Sequence, residues 1–326
     1  MAELDPQAMG ALIEPMRVKP GAHVNLGRDY DPAYRAGWIK KRDGEEYLER
    51  GVELLSSYQD RLAAQSTYAL LIVLQGLDGA GKDSTIRHVM SGVNPQGVVV
   101  RSFKVPTDEE HSHDYLWRYV KALPAHGQIG IFNRSHYEEV LVVRVHPDEL
   151  EREKLPPEAV SGEIWKRRFH TINEWERHLV DNGTRIVKLF LNMSWEEQRE
   201  RFLKRIDLPE KNWKFSASDV AERRYWNDYQ HAFSQMLTHS STEWAPWYVI
   251  PADHKWFARI AAAAAIVSAL AAIDPQYPTV GAQEREELER SAAALRAEAP
   301  PGAPTDPYLH KGCLLYTSDA ADDLTR

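Results

Sequence analysis

Apolar positions along the chain follow two spacings. In EEYLERGVELLSSYQDRLAAQ, Glu45 to Gln65, the residues Leu48, Val52, Leu55, Tyr58 and Leu62 recur every third or fourth position, which predicts an amphipathic helix. The pattern then changes to LLIVLQ, an unbroken apolar run that opens into the glycines of GLDGAGKD and a polar helical stretch, DSTIRHV. Four further runs have the same unbroken character: VVVRSF (98–103), QIGIF (128–132), RIVKLFL (185–191) and WYVI (247–250). Strands apolar on both sides read as buried parallel strands, with the intervening helical segments as cover. The predicted fold is α/β, a parallel sheet flanked by helices that binds its ligands at the carboxyl ends of the strands. A helix, AERRYWNDYQHAF (221–233), is predicted after the fourth strand and a charged loop. The alanine-rich FARIAAAAAIVSALAAI (257–273) is expected to be a packed helix, being short and interrupted by Arg259.

These elements place one core at 44–275, preceded by an arm at 1–43 and followed by a proline-rich tail at 276–312. The last stretch, 313–326, is expected to be a sequencing-adapter scar, because CLLYTSDAAD back-translates into a transposase adapter. With 43% apolar residues and 10 Trp among 326 residues, the chain has material for a substantial core. MAELDPQAMGALIEPM lacks basic residues ahead of an apolar stretch, and Cys313 is the single cysteine, so a cytoplasmic protein with no membrane role is expected. A net charge of −8 argues against nucleic acid as a partner. Any polyanionic substrate must therefore meet a local basic patch.

GLDGAGKD, Gly76 to Asp83, satisfies the Gly-x-x-x-x-Gly-Lys part of a phosphate-binding loop but carries Asp83 where Ser or Thr is usual. Glycines there let backbone N–H groups face phosphate, the following helix adds its positive end, and Lys82 adds a mobile charge. Gly79, Ala80, Gly81, Lys82, Asp83 and Ser84 are the expected phosphate contacts. Ser84 and Thr85 stand either as shifted substitutes for the missing hydroxyl or as ordinary helix-start residues. A carboxylate in mid-loop repels phosphate unless a proton or metal lies between, and Mg²⁺ takes both kinds of oxygen, so Asp78 is a candidate metal or acceptor-side residue. Asp83 could serve the same ion or favour the helix N-terminus, and the residues leave both readings open.

The third strand ends in IFNRSHYEEVLVVRV (131–145), where Arg134 can fork onto a phosphate and Asn133 stands near the usual position of a strand-end Asp. The competing reading makes Asn133, Arg134 and Ser135 a capped turn. Beyond the fourth strand, 199–224 concentrates Arg199, Arg201, Lys204, Arg205, Lys211, Lys214, Arg223 and Arg224 against fewer acids. On an acidic protein this is the required basic patch, and Pro209 in a Lys-rich surround predicts a lid over phosphates. His111 and His113 lack further ligands at metal spacing, so zinc is not expected. PTDEEHSHDYLWRY (106–119) instead borders the expected nucleotide pocket. Trp117, Trp165, Trp213, Trp226 and Trp256 are expected to pack in the core or lid.

Five ordered blocks, VLQGLDGAGKDSTIRHVMSGVNPQGVVVRSFKVPT, DYLWR, IFNRSHYEEVLVVRV, LPEKNWKFSASDVAERRYWNDYQ and STEWAPWYVIPADHKWF, closely resemble the polyphosphate kinase family 2 over roughly residues 15 to 278. The resemblance implies a P-loop kinase-like fold with a helical lid, and Mg²⁺-dependent, reversible transfer of the terminal phosphoryl group of inorganic polyphosphate to ADP or AMP. It implies catalytic roles for Asp78, Lys82 and Arg134, and lid roles toward polyphosphate for Lys211, Lys214, Asp219 and Arg223, beside Arg205 of the basic patch. The family loop also carries a mid-loop Asp and does not require Ser or Thr after the lysine. Glu138 resembles the subgroup that accepts AMP as well as ADP, which with Asn133 marks the acceptor side. A homo-oligomer, dimer or tetramer, is implied as well. The insert PDELEREKLPPEAVSGE (147–163) and the tail depart from compact members and lie outside the motif blocks. The alternatives are an ATP-dependent nucleoside monophosphate kinase and a phosphate-loop protein that binds without catalysis.

Overall fold

In this computed structural model the described residues are 5–37, 41–160 and 162–298. The expected adapter scar lies outside them. The five apolar runs form strands β1 (Ala69–Gln75), β2 (Val98–Ser102), β3 (Ile129–Asn133), β4 (Thr184–Asn192) and β5 (Trp247–Pro251). They pair in parallel in the order β2-β3-β1-β4-β5. Leu74 stands opposite Asn133 of β3 and Leu189 of β4, so β1 and β3 end within one residue of each other while β4 runs on to Asn192. β1 connects outward to β2 while β3 crosses back over it to β4, which opens a crevice at the ends of β1 and β3.

Alternate residues of a strand face opposite sides, and both sides are filled. Leu70, Ile72 and Leu74 pack with Leu55, Leu62, Ala261, Ala264 and Val267. Leu71 and Val73 pack with Phe132, Tyr137, Phe190, Phe233 and Trp247. The expectation of buried strands fails at β2, where Val100 is 45% exposed. β2 pairs with β3 alone and is an edge strand, which its apolar run could not reveal.

The alanine-rich segment is the helix Lys255–Ile273, packed against the helices Lys41–Gln65 and Pro6–Ile13. It is long and apolar enough to cross a membrane, yet Ala261 to Ala265 are buried in the core, where small side chains allow close helix approach. In the N-terminal arm, Val18 N–H donates to Trp247 O at 2.9 Å and Arg17 bridges Tyr248, which covers the open edge of β5. The helix expected over 221–233 begins later, at Trp226, and runs to Ser240. Its predicted start belongs to a separate helix, Ala217–Glu222, capped by Ser216, and to a tight turn at Arg223–Tyr225.

The chain divides into two compact units, one ending at Tyr277 and one beginning at Pro278. In the second, the stretch expected as a proline-rich tail contains an exposed helix, Ala282–Ala297.

Candidate active site

Gly81 starts the helix Lys82–Val89 with φ of +105°, which L side chains rarely adopt, and so delivers Lys82 to the first helical position. The Lys82 ammonium is 9% exposed and donates to Gly76 O at 2.6 Å and Leu77 O at 3.3 Å. It also lies 3.7 Å from Asp78 Oδ1. Burial pushes the Lys82 pKa down, and Asp78 opposes that shift.

Asp78 Oδ1 also accepts from Arg134 Nη2 at 2.6 Å, while Arg134 Nη1 reaches Glu138 Oε2 at 3.4 Å. Burial would raise the Asp78 pKa, but Lys82 and Arg134 outweigh it and hold the carboxyl below its usual range. Arg134 has φ of +63°, a strained conformation for a non-glycine residue of the kind that gathers at functional sites. Its N–H donates to Leu74 O, and the following Ser135 accepts from Gln75 Nε2 and Tyr137 N. The capped turn is therefore real, and it aims the arginine.

Behind this turn His136, Glu176 and Lys188 are fully buried. Lys188 Nζ donates to Glu176 Oε2, Tyr137 Oη and Ser240 O, which ties the turn to β4 and to the helix Trp226–Ser240. Burial drives the Glu176 pKa up, but the Lys188 cation and the His136 bond reverse it and keep the carboxylate ionised.

The remaining loop residues divide. Asp83 Oδ1 accepts from Asn133 Nδ2 at 2.6 Å, so Asp83 clamps the loop helix to the end of β3. Asn133 Oδ1 is buried without a partner among the described residues. Ser84 Oγ accepts from Arg259. Ala80, expected at phosphate, is buried in the core and its N–H donates within the loop to Leu77 O, so it leaves the cavity wall.

Gly79, Gly81, Lys82, Asp83, Asn133, Arg134 and Glu138 line a cavity of about 1020 Å³ at the carboxyl edge of the sheet. Of the expected lid residues, Arg205, Lys211 and Lys214 line it, and Asp219 and Arg223 do not. Those two border a small cavity of about 50 Å³ that also touches Asp78, Arg134 and Glu138. Asp219 pairs with Arg205 at 2.9 Å, and Arg223 stacks 3.6 Å over Trp195. Trp213 contradicts the packing expectation: it is 79% exposed in the turn Pro209–Lys214, with Lys214 over its ring.

Sequence reasoning missed Arg87, Lys104, Lys255 and Arg259 on the cavity wall. Lys255 lies inside the quoted DHKWF block, which was the available signal. The insert also reaches the site, supplying Glu149, Glu153 and Leu155. Arg168 anchors it by pairing with Glu153 and donating to Glu139 O at 2.7 Å.

A parallel sheet, a glycine loop feeding a helix N-terminus and a basic lid together define a P-loop kinase-like protein. The sequence profile of polyphosphate kinase 2 matches residues 38–278. An ADP-polyphosphate phosphotransferase from Rhodopseudomonas palustris is 48% identical over 276 residues, covering 83% of this chain and 94% of that protein. An AMP/ADP-polyphosphate phosphotransferase from Meiothermus ruber is 43% identical over 266 residues, covering 80% and 94%. The crystal structure of polyphosphate kinase 2 from Arthrobacter aurescens TC1 superposes with a TM-score of 0.77 at 39% identity, covering 88% of this chain and 97% of that one. The chain belongs to the polyphosphate kinase 2 family. An ATP-dependent nucleoside monophosphate kinase is not favoured.

Proposed function

We propose that this protein transfers the terminal phosphoryl group of inorganic polyphosphate to ADP and AMP, giving ATP and ADP, and runs in reverse. The observation that carries it is Asp78 Oδ1 held 2.6 Å from Arg134 and 3.7 Å from Lys82 on the wall of a cavity whose lid side is cationic. A phosphoryl group in transfer spreads negative charge over its peripheral oxygens, so positioned cations lower the barrier. Lys82 and Arg134 supply that charge beside the loop N–H groups. Arg205, Lys211 and Lys214 hold the rest of the polyphosphate chain. Glu138, through its contact with Arg134, and Asn133 face the acceptor, and Glu138 is the basis for accepting AMP as well as ADP.

The oxygens here fit Mg²⁺: the Asp78 carboxylate, the unpartnered Asn133 Oδ1 and Glu138 are hard donors. Among the described residues no three His, Cys, Asp or Glu side chains converge as a metal cage. That suits Mg²⁺, which takes one or two carboxylates and completes its shell with water and substrate phosphates. When bound it neutralises phosphate charge.

The net charge of −8 and the single cysteine support a cytoplasmic enzyme with no nucleic-acid partner. A dimer or tetramer is proposed from the family resemblance. Incubating purified protein with polyphosphate, Mg²⁺ and either ADP or AMP, without ATP, tests the central reading. ATP from ADP and ADP from AMP are expected; no new nucleotide from either would overturn it.

A further inference from the structure

Arg201 belongs to the basic run expected to face a polyanion, but its guanidinium is committed elsewhere. Nη1 donates to Gly79 O and Ala80 O, both at 2.9 Å. Nη2 donates to Ala252 O and Asp253 O, and Nε to Glu197 Oε1. All five N–H groups of an arginine are thereby used, and none remains for phosphate. One turn earlier on the same helix, Trp195–Asp207, Gln198 Nε2 donates to Asp78 O at 2.9 Å. Both side chains are buried. Three successive carbonyls of the phosphate loop are thus held by one helix at the root of the lid.

Peptide planarity gives this grip a consequence. In a trans peptide the C=O and the following N–H point in opposite directions. Holding Asp78 O and Ala80 O on the helix side turns the N–H groups of Gly79 and Gly81 away from that helix, and both glycines line the cavity. The intervening N–H, of Ala80, returns to Leu77 O at 3.1 Å. The approach is close: a Cβ on Gly79 would sit 3.1 Å from Phe202 Cε1, and its φ is +90°. Gln198 Oε1 in turn accepts from Arg223 Nη1 at 2.7 Å, so the grip continues into the lid.

We infer that Gln198 and Arg201 are positioning residues that preset the phosphate loop, aiming the Gly79 and Gly81 N–H groups at the donor phosphate and linking that geometry to Arg223. The inference rests on the reading that the loop holds polyphosphate. Preset donors stabilise developing charge without reorganising, so loosening them lowers donor binding and turnover together.

Gln198→Met keeps length and burial while removing both bonds, and Arg201→Lys keeps a charge but loses the fork. Each is compared with the parent in kcat, in KM for polyphosphate and ADP, in thermal midpoint, and in calorimetric binding of inorganic tripolyphosphate without nucleotide. Gln198→Met is expected to weaken tripolyphosphate binding and lower kcat by about tenfold or more, with KM for ADP unchanged. Arg201→Lys should lose more. Parent-like tripolyphosphate binding and kcat in Gln198→Met would overturn the inference, as would variants that lose thermal stability alone. Lys82→Ala separates the two levels. If it retains full turnover the loop reading itself fails; if it is inactive while Gln198→Met matches the parent, only the positioning role fails.

Discussion

Asp78 is the residue on which the charges of the site converge. One of its oxygens meets Arg134 at 2.6 Å and Lys82 at 3.7 Å, so each cation has a protein partner as well as access to the cavity. The shared carboxylate keeps both cations close without allowing either to collapse into an exclusive pair. Removing the lysine leaves the arginine and the loop N–H groups in place but deletes charge beside the transferring group. Lys82→Ala is expected to lose roughly 10²-fold or more in kcat, by analogy with the loss of one preset electrostatic donor. Steady-state rates of ATP formation from polyphosphate and ADP measure it. Because Lys82 also bonds Gly76 O, thermal denaturation should accompany the kinetics to show that the loop persists.

Among the elements, the lid shows most clearly what a charge run can and cannot reveal. Arg205, Lys211 and Lys214 line the large cavity, and so does Arg201, but the Arg201 guanidinium is taken up by backbone carbonyls, while Arg223 stacks on Trp195 outside that cavity. Lys211→Ala with Lys214→Ala is expected to raise KM for polyphosphate several-fold and to weaken its salt dependence, because exposed charges act through screened attraction. KM for ADP should stay constant in the same titrations. The exposed Trp213 between them should change its fluorescence when tripolyphosphate binds, with Trp213→Phe identifying its share among the ten tryptophans.

Unbroken apolar runs made all five strands legible in the sequence, and the glycine loop and the Asn133–Ser135 turn pointed to residues that line one candidate cavity. Pairing order was not legible, so β2 was read as buried. The same limit applied to Arg201: composition counts a guanidinium but does not say whether carbonyls or solvent await it. Lys255 and Arg259 escaped because they reach the cavity from a helix beyond β5, brought there by packing alone.

Against a net charge of −8, Lys82, Arg87, Arg134, Arg205, Lys211 and Lys214 gather on the wall of one cavity at the carboxyl edge of the sheet. Lys255 sits among them, and partial burial with its neighbours Arg201, Lys204 and Lys211 pushes its pKa down to about 8. Below that value it carries a proton and attracts a polyanion; above it the charge is lost. KM for polyphosphate is therefore expected to rise as pH increases through about 8. Polyphosphate binding near that pH should take up protons, since the anion favours the ammonium form. Lys255→Arg keeps its charge throughout and should flatten the rise, measured as KM against pH at fixed ionic strength. An unchanged slope in the variant would assign the dependence to another group.

The order β2-β3-β1-β4-β5 also bears on how the protein is made. The first strand to leave the ribosome is the middle of the sheet, and its two neighbours are synthesised later. Its glycine loop waits longer still, since the helix that holds its carbonyls follows β4. A nascent chain halted before Trp195 therefore carries the loop's residues without their clamp. Newly made molecules should gain resistance to proteolysis at the loop only after the lid root has emerged, and chemical competence comes later still, once β5 and the helix Lys255–Ile273 have completed the sheet and the cavity wall.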